Sequence, residues 1–69
     1  MIKNEQERQR IGMRIAELRK QVGMTQTELA IRSGIHQGHI ARLEKGVYGA
    51  TIDVLSSIAA ALDTRIDFV

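Results

Sequence analysis

Sixty-nine residues suit one hydrophobic core and no second domain, because a chain this short buries only about 60% of the surface that its unfolded form exposes. With no cysteine, a disulfide framework and a thiolate zinc site are excluded, and neither an apolar run of about 18 residues nor a signal-peptide pattern at MIKNEQERQR marks a membrane or secreted protein. The formal net charge of +2 is unevenly placed: residues 1 to 46 carry nine Lys or Arg against five Glu, and residues 47 to 69 carry Arg65 against Asp53, Asp63 and Asp67. The basic half suits attraction to phosphate. Lacking both staples of small domains, the chain is expected to draw stability from a partner chain.

A first helix is expected from Asn4 or Glu5 to Gln21, with Ile11, Ile15, Leu18 and Val22 forming an apolar stripe, Arg8, Arg10, Arg14 and Lys20 on the polar side, and Gly23 as the stop. Gly12 inside it costs roughly 1 kcal/mol relative to Ala, so it is read as the mark of a close helix contact. Thr25 and Glu28 form a capping-box pair for a second helix starting at about Gln26, and Met24 with Leu29 can staple its entry. Gly34 suits a left-handed turn after Arg32 or Ser33.

Beyond that turn, Ile35, Ile40 and Leu43 share one side of a third helix running from about Gln37 to Glu44, which Gly46 can end. Gln37, Gly38, His39, Ala41, Arg42 and Lys45 share the other side. Ala30 on the second helix is small enough for close approach to Ile40. Thr51 is a good cap for a fourth helix with Asp53 in its first turn, and Ile52, Leu55, Ile58, Ala59 and Leu62 are expected to close the core. The ending, residues 64 to 69, alternates Ile66 and Phe68 with Arg65 and Asp67, which reads as a short strand. A lone edge strand is unstable in water, so Ile66 and Phe68 are expected to pair with the same strand of a second copy, as a ribbon across a twofold axis.

Two short amphipathic helices around a glycine turn are the layout of a helix-turn-helix, which makes double-stranded DNA the first candidate partner. The stretch MTQTELAIRSGIHQGHIARLEKG resembles the lambda repressor and Cro type, the XRE family, whose usual form reads MTQxELAxxSGvsQxxIsrlEnG. The resemblance implies an all-α, four- to five-helix lambda-repressor-like DNA-binding domain spanning residues 1–69, with the helix-turn-helix at about 25–45 and the dimerisation strand at about 64–69. It also implies a partly buried ion pair between Arg19 and Glu44. Gln26 is expected to pack against Gln37 and bind phosphate, Lys45 and the Gly46 amide are expected to bind phosphate, and Tyr48 is either a further phosphate contact or a core-edge residue. Bacterial or phage cytoplasm is the implied location.

A helix fits the major groove and points its N-terminal residues at base edges, so His36 to Arg42 are the residues to weigh. Arg42 suits guanine O6 and N7, Gln37 suits adenine, and His39 can donate to a base or a phosphate. His36 stands where the family has a capping Ser or Thr, and Gly38 where it has a base-facing residue; glycine there removes a reader or lets a groove atom come close. The DNA-binding set is therefore Gln26, His36, Gln37, Gly38, His39, Arg42 and Lys45.

No enzyme is expected: Ser33, Ser56 and Ser57 fit helix ends and packing positions, no glycine-rich phosphate loop occurs, and no cofactor is implied. His36 and His39 have no third ligand beside them in sequence, so no metal is expected. The implied function is sequence-specific repression by a homodimer on a palindromic operator. The ending resembles antitoxins of HipA-type kinases, so one alternative is an antitoxin that also binds a cognate toxin. Another is a protein-interaction module with vestigial DNA contacts.

Overall fold

The computed structural model describes residues 4–47 and 49–67 and arranges them as α1 (Asn4–Gln21), α2 (Gln26–Ser33), α3 (Gln37–Lys45) and α4 (Ile52–Ala61). Each boundary has a local cause. The Thr25 hydroxyl accepts from the Glu28 N–H at 3.0 Å while the Glu28 carboxylate accepts from the Thr25 N–H at 2.9 Å, which completes the expected capping box. Thr51 caps α4 by accepting from the Val54 N–H. α2 ends at Gly34, whose φ of 73° lies in the left-handed region that glycine enters without steric cost.

The other three helices end alike. The N–H just past the left-handed residue reaches back five positions: Met24 to Arg19 O in α1, Val47 to Arg42 O in α3 and Thr64 to Ala59 O in α4. These are Schellman closures, and α4 makes its own with Asp63 at φ 56° instead of a glycine. Asp tolerates that conformation better than most residues.

Leu29, Ile40 and Ile58 are the largest fully buried side chains, and Ile15, Met24, Leu43 and Leu62 complete a single cluster. The staple pair Met24 and Leu29 thus lies inside the core. α1 packs on α3, and α2 packs on both α3 and α4. The α1–α3 contact explains Gly12: a Cβ there would sit 2.1 Å from the Leu43 carbonyl oxygen and 3.0 Å from that of Glu44. Neither backbone atom can step aside alone. Gly12→Ala improves helix propensity by about 1 kcal/mol but must prise two helices apart, so we expect a net destabilisation of about 1–3 kcal/mol in urea unfolding. A gain in stability would place the glycine on an ordinary helix surface.

Three expectations are corrected. Val22 is 57% exposed and not part of the apolar stripe, because α1 stops at Gln21 and the turn through Gly23 hands the buried position to Met24. Ile52 is 67% exposed: as the first residue of α4 it precedes the turn that meets the core, and only Ile58, Ala59 and Leu62 of the expected five are buried. The chain after α4 forms no strand among the described residues. Residues 64–67 take no strand form, and Ile66 lines a groove with Ile52, Leu55 and Leu62. Phe68 and Tyr48 lie outside the described residues, so the roles expected of them do too.

Candidate nucleic-acid interface

α3 divides cleanly by chemistry. Ile40 and Leu43 are buried, Gln37, Arg42 and Lys45 are exposed, and Gly38, His39 and Ala41 lie half-buried between them. An amphipathic helix held by its apolar stripe leaves its polar face outward, the form that enters a major groove about 12 Å wide. Ala30 and Ile35 pack against the same cluster as Ile40, fixing the angle between α2 and α3.

The far end of α3 is tied down by charge. Arg19 on α1 donates from Nε to Glu44 Oε2 at 2.8 Å and from Nη2 to Oε1 at 3.0 Å, a two-pronged pair with side-chain exposures of 11% and 7%. Its Nη1 donates to the Met24 carbonyl oxygen at 2.8 Å, and Gln26 Nε2 donates to Glu44 Oε1 at 3.0 Å. One carboxylate therefore joins the end of α1, the start of α2 and the end of α3. Burial works against the Glu44 charge, but the hydrogen bonds from Arg19 and Gln26 outweigh it and hold the carboxyl below the usual range. The hydrogen bond to Glu44 raises Arg19 in turn.

Sequence reasoning found Arg19 with Glu44 but missed Gln26 as the third donor to that carboxylate; the bond uses one of the two Nε2 hydrogens, and the expected phosphate contact falls to the other. Gln26 and Glu44 lie 18 positions apart, and no periodicity links them. A correction concerns Gly46, whose N–H donates to the Arg42 and Leu43 carbonyls and closes the helix instead of facing outward to a phosphate. Lys45 remains exposed beside it.

The start of α3 also differs from expectation. His36, 2 residues before Gly38, caps the helix with its ring: Nδ1 accepts from the Gly38 N–H at 3.1 Å. A Cβ at Gly38 would lie 3.2 Å from that Nδ1 and 3.3 Å from Cε1. The two departures from the family pattern are thus in mutual contact. An imidazole in place of a hydroxyl at a cap needs room, and glycine supplies it.

The basic half of the chain is only partly a property of this face. Arg10 pairs with Glu7 and Arg14 with Glu17 along α1, and Glu7, Arg10 and Arg14 line the groove toward α4. No helix is long and apolar enough to cross a membrane, and no cluster of three metal-binding side chains occurs, both among the described residues.

A helix-turn-helix family model, HTH_3, matches residues 15–69. An HTH-type transcriptional regulator from Sinorhizobium fredii is 38% identical over 55 residues, covering 80% of this chain and 71% of the relative. The immunity repressor of Bacillus phage phi105 is 29% identical over 56 residues, which are 81% of this chain but 39% of that protein. Among solved structures, the restriction-modification controller protein C.AhdI from Aeromonas hydrophila superposes with a TM-score of 0.83 at 29% identity, covering 86% of this chain and 89% of that one.

Proposed function

The chain belongs to the HTH_3 helix-turn-helix family and is a DNA-binding transcriptional regulator; from that premise we propose that it represses transcription as a homodimer on a palindromic operator. The observation that carries the reading is the division of α3, with Ile40 and Leu43 locked into the core while Gln37, Arg42 and Lys45 stand in solvent. Two α3 helices related by a twofold axis would enter successive major grooves about 34 Å apart. Within each half-site Arg42 grips a guanine through O6 and N7, Gln37 reads an adenine, and Lys45 and Gln26 hold the backbone, whereas His39, expected to donate, has its Nε2 buried away from the groove. Ile52 and Ile66, 67% and 41% exposed, support pairing of two copies over the α1–α4 groove.

Selection of bound duplexes from a random pool tests the whole reading. A symmetric motif with half-sites one helical turn apart is expected; recovery of no enriched sequence would overturn it. On the enriched duplex, Arg42→Ala should weaken binding by about 1–3 kcal/mol, with a much smaller loss on random DNA. Equal losses on both would reduce Arg42 to a phosphate contact. Gel filtration with light scattering checks the dimer, and a monomer at all concentrations would remove the twofold operator.

A further inference from the structure

The cap on α3 fixes more than the helix start. A ring nitrogen that accepts a hydrogen bond carries no proton, so neutral His36, accepting at Nδ1 from the Gly38 N–H at 3.1 Å, must carry its proton on Nε2. His36 is exposed, and its Nε2 lies across the ring from the capping nitrogen. A Ser or Thr cap ends at the hydroxyl; the imidazole continues past it and ends in a donor of set direction. Gly38 bears on the same point, since a Cβ would crowd Nδ1 and Cε1 at 3.2 and 3.3 Å and push the ring from this pose.

We infer that His36 is a two-ended residue, capping α3 through Nδ1 and donating from Nε2–H to an acceptor atom of the DNA, with Gly38 keeping room for the ring. This rests on the proposed DNA-binding reading. The acceptor is a phosphate oxygen or a guanine N7 or O6, both within the reach of residues at the start of a helix lying in the major groove. Gly38, on this assignment, positions His36 and reads no base.

His36→Ser separates the two ends, because a Ser hydroxyl caps well but is too short to reach beyond the cap. The thermal midpoint should change little, while affinity for the selected duplex falls by about tenfold, the worth of one hydrogen bond to a charged or strong acceptor. Loss on the selected duplex alone assigns the acceptor to a base edge; equal loss on random duplex assigns it to phosphate. Ring ¹⁵N shifts of the free protein should report the Nε2–H form of His36. Gly38→Ala should lower the thermal midpoint in the wild type yet raise it in the His36→Ser background, where the crowding is gone and alanine's helix propensity acts alone.

Unchanged affinity in a folded His36→Ser protein, or an Nδ1–H ring, would overturn the inference while leaving the DNA-binding reading intact. A wild-type protein that binds no duplex would overturn both.

Discussion

Glu44→Ala should lower the unfolding free energy by about 3–5 kcal/mol, the range found when one partner of a buried pair is removed. The carboxylate is 7% exposed and receives three side-chain hydrogen bonds, two from Arg19 and one from Gln26. Its loss leaves a guanidinium, 11% exposed, that still donates to the Met24 carbonyl but has lost its counter-charge. A domain of 69 residues has roughly 3–10 kcal/mol in all, so a substantial part of the population would unfold at room temperature. Urea denaturation measures this directly. Replacing both partners together, Arg19→Met with Glu44→Leu, should recover much of the loss, since it is the stranded charge that is costly. A loss under about 1 kcal/mol for the single variant would show the pair to be an ordinary surface contact.

The same carboxylate sets a pH dependence. Glu44 is held below its usual range by Arg19 and Gln26 against the opposing effect of burial, and Glu28 by the Thr25 backbone N–H and hydroxyl. A carboxyl whose folded-state value is depressed stabilises the fold fully above its unfolded value, about 4.3 for glutamate, and that contribution fades as pH falls through the folded value. Stability should therefore decline on acidification below about pH 4.3, and less steeply in Glu44→Ala.

The second large effect concerns salt. If a dimer contacts six to ten phosphates, raising salt from 50 to 200 mM should weaken DNA binding by about 10³ to 10⁵. A single copy engaging half as many phosphates would lose about half that on a logarithmic scale, so the slope also counts the copies bound. Fluorescence anisotropy at five or so salt concentrations suffices. A flat response would contradict phosphate binding by Lys45 and Gln26 altogether.

What the residues disclosed in advance was what is local or what is carried by a long motif. Thr25 with Glu28, Gly34 and Thr51 each act within four positions, and the structure has every one of them where the spacing put it. Arg19 and Glu44 lie 25 positions apart and were legible only through resemblance, since no periodicity links them. Val22 was misjudged because a heptad-like count runs on past the point where Gly23 unwinds the helix. The expected strand at 64–69 rested on the alternation of Ile66 and Phe68 with charged residues and looked to a second copy for its neighbour; within the single chain, residues 64–67 take no strand form. The His36 cap escaped notice because imidazole is outside the usual capping set, although its glycine companion stood two residues away.

The main-chain contact at Gly12 has a consequence for how such a protein can change its target. α3 is seated by its own carbonyls against α1, by two apolar side chains and by one carboxylate, none of which belongs to the outward face. Gln37 and Lys45 stand exposed, away from these contacts, so on the proposed reading substitutions there alter what α3 presents to DNA while its mount stays in place. The glycine beneath, by contrast, cannot take a side chain without moving α1 off the carbonyls of Leu43 and Glu44.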